Sequence, residues 1–119
     1  MRKILVTGAA GFIGMHLCES LLIDGFQVVG IDNLNDYYDV RLKKNRVKIL
    51  NQHKKFTFIK LDLVDKIGLD KVFKQFRPYK IVNLAAQAGV GYSLVNPYVY
   101  IESNILGFMN ILDLCKDYN

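Results

Sequence analysis

Three glycines, spaced three residues apart, are the part of the sequence that most directly predicts chemistry. Gly8, Gly11 and Gly14 lie between an apolar run at residues 3–7 and a helical pattern that begins at Phe12. In that context glycine permits a tight turn at the first position, gives a pyrophosphate access to the backbone at the second, and allows close packing at the third. The free N–H groups of a helix start bind anions. The spacing and its context therefore predict a dinucleotide-binding site.

An acidic residue follows the glycines at the distance that a dinucleotide site requires. Asp32 is 18 residues beyond Gly14 and directly follows a second apolar run. Its carboxylate can accept hydrogen bonds from a ribose, and its charge would repel a 2′-phosphate, so the residue favours NAD over NADP as the cofactor. The alternative is an ordinary loop aspartate. The nearby cations Arg41 and Lys43 complicate the cofactor preference.

Short apolar runs alternate with longer helical patterns, and this alternation predicts a parallel sheet covered by helices on both faces. The predicted strands are residues 3–7, 26–31, 56–61 and 80–86. The predicted helices are residues 12–24, 65–77 and 98–116, together with a basic helix that follows the loop 32–39 and ends at about residue 53. The fold class is thus α/β, the amino-terminal portion of a Rossmann-type doubly wound sheet with about four βα units. Asp62 and Leu63, after the third strand, lie either beside an adenine or in a capped turn.

The apolar spacing also predicts which faces of the helices are buried. The first helix is expected to bury a single face, made of Ile13, Leu17, Leu21 and Leu22, and to end at a left-handed cap on Gly25. The third is expected to be capped by Asp65 and to turn four residues inward: Ile67, Val72, Phe73 and Phe76. The last is apolar around most of its circumference, which predicts the sheet on one side and a second subunit on another, as in a homodimer.

Length and composition fit one globular domain. The chain has 119 residues, of which 51% are hydrophobic and 23% charged, and this excludes disordered and fibrous classes. The basic start and the apolar run after it imitate a signal peptide, but glycines interrupt the run. We therefore expect neither a signal peptide nor a membrane anchor, and a cytoplasmic protein. Cys18 and Cys115 have no metal-ligand or disulfide spacing, so two buried reduced thiols and no metal site are expected.

The net charge of +5 is concentrated in one segment, because eight basic residues and no acidic one lie between Arg41 and Lys60. Such a stripe can bind nucleic acid. However, four apolar residues interleave with the charges at helical spacing: Leu42, Val47, Ile49 and Leu50. No nucleic-acid-binding motif accompanies them. The segment is therefore interpreted as an amphipathic helix with a solvated basic face, and no nucleic-acid partner is expected.

Several motifs taken together resemble the cofactor half of the extended short-chain dehydrogenase/reductase family. They are the glycine motif at residues 7–14, Asp32-Asn33-Leu34, Asp62-Leu63 and Asn83-Leu84-Ala85-Ala86-Gln87. Two strings narrow the resemblance to NAD-dependent nucleotide-sugar epimerases of the UDP-glucuronate 4-epimerase type: residues 33–39, and residues 84–90 with Tyr92-Ser93 and Asn96-Pro97 after them. Enzymes of this type act in capsule and lipopolysaccharide synthesis. The resemblance therefore implies NAD as the cofactor and a UDP-sugar as the substrate.

The resemblance also implies roles for individual positions. The residues implied at the pyrophosphate and the adenosine are Gly8, Gly11, Phe12, Ile13, Gly14, Asp32 and Asn33, with Asp62 and Leu63 flanking the adenine. Those implied along the nicotinamide ribose are Leu84, Ala85, Ala86 and Gln87, with Asn104 of the last helix in support. The position of Gly91 is usually arginine in these epimerases, so a cationic contact to the substrate is missing.

In the resembled family, hydride transfer depends on a Tyr-x-x-x-Lys pair and a nearby Ser or Thr, on the fifth strand and the helix after it. None of the seven tyrosines has lysine four positions later, so no catalytic residue is assigned. We expect residues 1–119 to be the NAD-binding Rossmann domain of a longer nucleotide-sugar 4-epimerase, catalytically incomplete by itself. The alternatives are a non-catalytic NAD-binding or sheet-completing module, and the cofactor half of a nucleotide-sugar 4,6-dehydratase or reductase.

Overall fold

Four parallel strands form a sheet in the computed structural model, which describes residues 2–35, 39–86 and 94–118. The strands are β1 (Lys3–Thr7), β2 (Gln27–Asp32), β3 (Phe56–Lys60) and β4 (Lys80–Asn83). Their order across the sheet is β3-β2-β1-β4, and each neighbouring pair is parallel. This is the order with which the doubly wound fold begins. The predicted fold class is confirmed.

Helices cover both faces of the sheet. They are α1 (Phe12–Ile23), α2 (Val40–Leu50), α3 (Lys66–Phe76), α4 (Pro97–Tyr100) and α5 (Gly107–Tyr118), and a π-helical segment (Ile101–Leu106) joins α4 to α5. On one face of the sheet, Val6 packs in a core with Cys18 of α1 and Leu50 of α2. On the other, Leu5 packs in a core with α3 and α5. Because successive residues of β1 enter different cores, the strand is apolar throughout.

The fourth strand ends three residues earlier than the sequence predicts. A strand that continued to Ala86 is expected, but β4 ends at Asn83, which pairs with Thr7 at the last step of the register between β1 and β4. The N–H of Leu84 donates once more to the backbone of β1, at the Thr7 carbonyl 3.2 Å away, and the N–H groups of Leu84 and Ala85 also donate to the Thr7 hydroxyl at 3.0 and 3.1 Å. Because β1 also stops at Thr7, the residues after Asn83 have no ladder to continue, and they are free to border a cavity.

The buried face of α1 is rotated relative to the predicted one. The buried residues are Gly14, Cys18 and Leu22, whereas the side chain of Ile13 is 69% exposed. The helix backbone approaches the preceding turn closely at Gly14, and this contact turns the preceding residue outward. The predicted cap is confirmed, since Gly25 has a φ of 93°. Ile13 therefore contributes to the surface beside the turn and not to the core.

The third helix is capped as predicted and buries the predicted stripe except at Ile67, with Phe76 partly buried against the same core. Asp65 accepts a hydrogen bond from a helix N–H at 3.0 Å, and Val72 and Phe73 are buried. The predicted burial of Ile67 is wrong, because its side chain is 75% exposed. The stripe begins at Leu69, and a residue two positions earlier lies about 200° away around a helix of 3.6 residues per turn. Ile67 is thus on the solvent side.

Apolar side chains lie on several sides of the last helical stretch, as its composition predicts. Ile111 and Leu114 are buried against the sheet. Six other apolar side chains are between 46% and 62% exposed: Ile101, Ile105, Leu106, Phe108, Met109 and Leu112. The part of the chain that the structure describes leaves this surface uncovered.

Burial of Cys18 makes the stability of the protein depend on alkaline pH. Cys18 is fully buried, and burial raises the pKa of its thiol from an ordinary 9.0 to about 12. Above pH 9 the unfolded chain loses this proton while the folded chain keeps it, so the free energy of unfolding falls as the pH rises. The thiol alone should account for a loss of about 1 kcal/mol between about pH 7.5 and about pH 10, measured by urea unfolding.

The matched control is Cys18→Ala, which removes the titrating group and leaves the lysines and tyrosines in place. The difference in stability between the unsubstituted protein and this variant should shrink on going to alkaline pH. If that difference stays constant, the Cys18 thiol titrates normally in the folded state.

Both cysteines are free thiols, but the expectation of burial holds fully for Cys18 and only in part for the half-buried Cys115.

Candidate functional site

A cavity of about 530 Å³ lies at the carboxyl ends of the strands. This is the edge of a doubly wound sheet at which ligands bind, beside the point where the strand order reverses. The volume is in the range of small-molecule sites. The residues predicted from the sequence that line the cavity are Gly8, Gly11, Phe12, Ile13, Gly14, Asp32, Asn33, Asp62, Leu63, Leu84, Ala85 and Ala86. The fold thus brings together residues from the ends of all four strands.

One predicted site residue, Asn104, is not part of this lining. Gln87 lies outside the described residues, as do Gly91 and the Tyr92-Ser93 pair. Asn104 is an exposed residue of the π-helical segment, and its neighbour Ser103 lines the cavity instead. A π-helical turn inside a helix is rare and occurs often at functional sites.

The turn between β1 and α1 depends on glycine at its first position. Gly8 has a φ of 70°, in the left-handed region. A Cβ on Gly8 would lie 2.9 Å from the backbone of both Leu84 and Ala85. The turn is therefore pressed against the residues that follow β4, and these two backbone segments form adjoining walls of the cavity.

The start of α1 is open toward the cavity. Gly11 is the N-cap residue and makes no side-chain hydrogen bond to the N–H groups of the first turn. Phe12 and Ile13 extend outward, with 67% and 69% of their side chains exposed. Uncapped N–H groups and the positive end of the helix dipole together attract an anion. The geometry at this end of the cavity suits a phosphate group.

Asp32 is buried at the end of β2 and links the glycine-rich turn to the next loop. Its Oδ2 accepts a hydrogen bond from the N–H of Ala10 at 3.1 Å, and its Oδ1 accepts one from the N–H of Leu34 at 2.8 Å. Leu34 has a φ of 55°, a left-handed conformation that is strained for leucine. Each carboxylate oxygen still has a lone pair for a ligand. Asp32 is therefore both a structural tie and a polar wall of the cavity.

Asp62 caps a turn, as one of the two alternatives for its position predicts, and it also contacts the loop after β2. Its Oδ1 accepts from the N–H of Val64 at 3.2 Å, which is the turn cap. Its Oδ2 accepts from the side-chain amide of Asn33 at 3.3 Å. This second bond connects the loop after β3 with the loop after β2. The two loops form one continuous wall of the cavity.

Lys43 is a cavity residue that the sequence interpretation missed. It was expected on the solvated face of a basic helix, yet it is only 6% exposed, it lines the cavity, and its Nζ donates to Asn35 Oδ1 at 2.7 Å. The signal was present, because Lys43 is four residues before Val47 and seven before Leu50, the buried residues of α2. Helical spacing places the three on one face.

Arg46 is a second basic residue of α2 that faces the site. Its Nη1 donates to the carbonyl of Ala10 at 3.1 Å, and its guanidinium carbon lies 6.0 Å from the centre of the Phe12 ring. The arginine thus braces the glycine-rich turn from the side of α2. The expected solvated basic face is correct for the exposed residues of the helix and wrong for Lys43 and Arg46.

Comparison with known proteins agrees with this geometry. The family model described as GDP-mannose 4,6 dehydratase matches residues 5–119. The chain belongs to the GDP-mannose 4,6-dehydratase family. Membership extends over β1, the glycine-rich turn and every element that borders the cavity.

Relatives of this GDP-mannose 4,6-dehydratase family chain are longer proteins. Protein CapI of Staphylococcus aureus is 52% identical over 117 residues, which are 98% of this chain and 35% of that protein. The UDP-glucuronate 4-epimerase of Thermodesulfobacterium geofontis is 46% identical over 118 residues, 99% of this chain and 36% of that protein. The resemblance to UDP-glucuronate 4-epimerases is confirmed. The chain spans about a third of the length of the relatives it matches.

This member of the GDP-mannose 4,6-dehydratase family is also similar to solved structures of epimerases. The UDP-glucuronic acid 4-epimerase of Bacillus cereus, crystallised with UDP-glucuronic acid and NAD, is 37% identical with a TM-score of 0.86. The match covers 96% of this chain and 36% of that one. At this identity the likeness extends beyond the fold to the sequence.

The described part of the chain contains neither a membrane-spanning helix nor a metal-binding cluster. Over residues 2–35, 39–86 and 94–118, no helix is both long and apolar enough to cross a membrane. Over the same residues, no three His, Cys, Asp or Glu side chains lie close enough together to hold a metal ion.

Proposed function

We propose that this chain is the NAD-binding Rossmann domain of a UDP-sugar 4-epimerase of the UDP-glucuronate type. The observation that carries the proposal is the cavity itself, in which the open start of α1 and the buried Asp32 carboxylate face one space. A dinucleotide has a pyrophosphate that suits the anion site and a ribose that suits the carboxylate, and both groups bind along one βαβ unit. Relatives that are UDP-glucuronate 4-epimerases, among them one crystallised with NAD, support it.

The residues present fit NAD on structural grounds. Gly11 leaves open space beside the start of α1, since the nearest atom to an added Cβ is the Gly8 carbonyl oxygen at 3.2 Å. That space would receive the pyrophosphate, with Phe12 and Ile13 on its outer side. Asp32 and Asn33 would bind the adenosine ribose, and Asp62 and Leu63 would flank the adenine. The nicotinamide half would lie along Leu84, Ala85, Ala86 and Gln87, and Asn104 would support it.

NAD, when bound, would accept a hydride from C4 of the sugar reversibly; with loss of the C4 hydroxyl proton to a base, this gives a 4-keto intermediate. The residues of this chain would contribute binding and orientation. Thr7 would hold in place the segment proposed to lie along the nicotinamide half. Its hydroxyl accepts hydrogen bonds from the N–H groups of Leu84 and Ala85 and donates one to Asn83. A Tyr-x-x-x-Lys pair for proton transfer is not among residues 1–119, so the domain by itself is proposed to bind NAD without turnover.

NAD should stabilise the protein against heat more than NADP does at the same concentration. The reason is the charge of the buried Asp32, which disfavours a 2′-phosphate at the adenosine ribose. Stabilisation follows from binding to the folded state, and it amounts to about 2.7 kcal/mol at about 100 times the dissociation constant. The measurement is the melting temperature without cofactor, with NAD and with NADP. Equal shifts for the two cofactors would contradict the role given to Asp32, and no shift with either would contradict NAD binding.

A nucleotide-sugar 4,6-dehydratase is the second candidate, because the matching family model carries that description. The two activities differ in what happens at C6 of the sugar. An enzyme that contains this domain should convert UDP-glucuronic acid to its 4-epimer, and it should release no water from a nucleotide hexose that carries a hydroxyl group at C6. A product that lacks the elements of water would favour the dehydratase.

The setting of the complete enzyme is part of the same proposal. A UDP-uronic acid epimerase would supply sugars for capsule or lipopolysaccharide synthesis, with its substrates in the cytoplasm. The uncovered apolar side chains of α5, such as Phe108 and Met109, support the expectation of a homodimer through the last helix.

A further inference from the structure

We propose that Asn110 of α5 is a positioning residue that holds the adenosine end of the cavity in shape from outside it. Asn110 is 6% exposed, and its Nδ2 donates to the backbone carbonyl of Leu63 at 2.7 Å. Leu63 lines the cavity and Asn110 does not. Any effect of Asn110 on a ligand must therefore pass through the loop that follows β3. This inference rests on the proposed NAD site.

A second contact brings α5 to the same point of that loop. Gly107 is one turn before Asn110, and a Cβ placed on it would lie 3.0 Å from the Leu63 Cβ. The helix backbone thus meets Leu63 at Gly107, and the amide of Asn110 binds the carbonyl of the same residue. A buried side-chain donor matched to a backbone acceptor defines the position of the loop, because leaving the acceptor unsatisfied in the interior is unfavourable.

From Leu63 the connection continues around the adenosine end of the cavity. Asp62 accepts from Asn33, the Asn33 Oδ1 accepts from the N–H of Asn35 at 3.0 Å, and the Asn35 Oδ1 accepts from Lys43. These hydrogen bonds join the loops after β3 and β2 to helix α2. Each of the joined residues lines the cavity. Asn110 is the buried end of this network. Its helix, α5, is fixed by packing in the core that contains Leu5.

The test is the affinity of the protein for ADP, which probes the adenosine and pyrophosphate half alone, measured by calorimetry beside urea unfolding. Asn110→Asp keeps the shape of the side chain and replaces the donor with an oxygen that faces the Leu63 carbonyl. We expect ADP affinity to fall about tenfold, because without this hydrogen bond the loop leaves the binding geometry in about nine of ten molecules of the free protein, and the apparent affinity falls with the fraction that stays competent. Asp113→Asn, one turn further along α5, removes the exposed ion pair with Lys66 and should leave ADP affinity unchanged.

A purely structural role is separated from positioning by Leu114→Ala. Leu114 is a buried residue of the same helix that does not line the cavity. This variant should lose stability and retain ADP affinity. If it loses as much ADP affinity as Asn110→Asp, or if Asn110→Asp binds ADP normally, the positioning role is wrong. If the unsubstituted protein fails to bind ADP or NAD, the proposed function itself is wrong.

A second variant keeps the Asn110 amide, so the proposal can still be tested if Asn110→Asp does not fold. Gly107→Ala presses a methyl group on Leu63 and leaves the hydrogen bond of Asn110 in place. Because the loop must move by a few tenths of an ångström, ADP affinity should fall here too, with a smaller change in unfolding. Unchanged ADP affinity in a folded Gly107→Ala protein would overturn the proposal.

Discussion

Replacement of Gly14 by alanine is expected to destabilise the protein by about 3 kcal/mol or more, because overpacking against fixed backbone cannot relax. The added Cβ would lie 2.0 Å from the carbonyl oxygen of Gly8, 2.8 Å from its carbonyl carbon and 3.1 Å from the Ala9 Cα. All three are backbone atoms. The methyl group can be accommodated only if α1 or the turn moves.

Neither the turn nor the helix has room to move. On its far side Gly8 is pressed against the backbone of Leu84 and Ala85. Its carbonyl oxygen accepts a hydrogen bond from the N–H of Gly11 at 3.0 Å. The N–H of Ala9 donates to the Ile31 carbonyl at 3.1 Å. The helix is held by Cys18, which is fully buried one turn later.

Urea unfolding and the melting temperature measure the effect of Gly14→Ala, and a fall of more than about 10 °C is expected for a domain of this size. Ser20→Ala, on the exposed side of the same helix, is the control and should change stability little. A loss below about 1 kcal/mol for Gly14→Ala would mean that the turn is not held as these contacts require.

Replacement of Gly11 by valine is expected to have the opposite pattern, with stability retained and NAD binding lost. Gly11 has a φ of −74° and a ψ of 170°, a conformation that any residue adopts. An added Cβ meets the Gly8 carbonyl oxygen at 3.2 Å and otherwise points into open space. The rest of the valine side chain would occupy the space proposed for the pyrophosphate.

The measurement is the NAD-dependent rise in melting temperature, which should be absent in Gly11→Val while the melting temperature without NAD changes by only a few degrees. Gly11→Ala is the graded control, because one methyl group fills less of the space and should leave part of the shift. If Gly11→Val shows the full shift, NAD binds elsewhere. The two variants thus distinguish the roles of two glycines in one motif: Gly14 is needed for the packing of the turn, and Gly11 for the ligand.

Local sequence signals predicted the elements around the turn well. β1 was predicted at residues 3–7 and lies there, because the residues of this strand contact two cores and must all be apolar. The αL cap at Gly25 and the Asp65 cap of α3 follow from a single residue and its immediate neighbours. Such features depend on backbone conformation within a few positions, and the sequence contains all of that information.

Other features were predicted wrongly or missed because their cause lies elsewhere in the chain. The rotation of α1 that exposes Ile13 is set by the close approach at Gly14, and apolar periodicity does not register a residue without a side chain. The burial of Lys43 depends on an acceptor, Asn35, supplied by the preceding loop. Helical spacing places Lys43 on the buried face of α2, but the sequence does not show which group accepts a hydrogen bond from its amine.

Residue types and their spacing are enough to predict a glycine-rich turn between a buried strand and a helix, and an acidic residue at the end of the next strand. The point where β4 stops and the support of the adenosine side of the cavity depend on long-range contacts. The first depends on the contact of Thr7 with Leu84, 77 residues away, and the second on that of Asn110 with Leu63, 47 residues away. Contacts across such separations form when the sheet is assembled, and local propensity does not contain them.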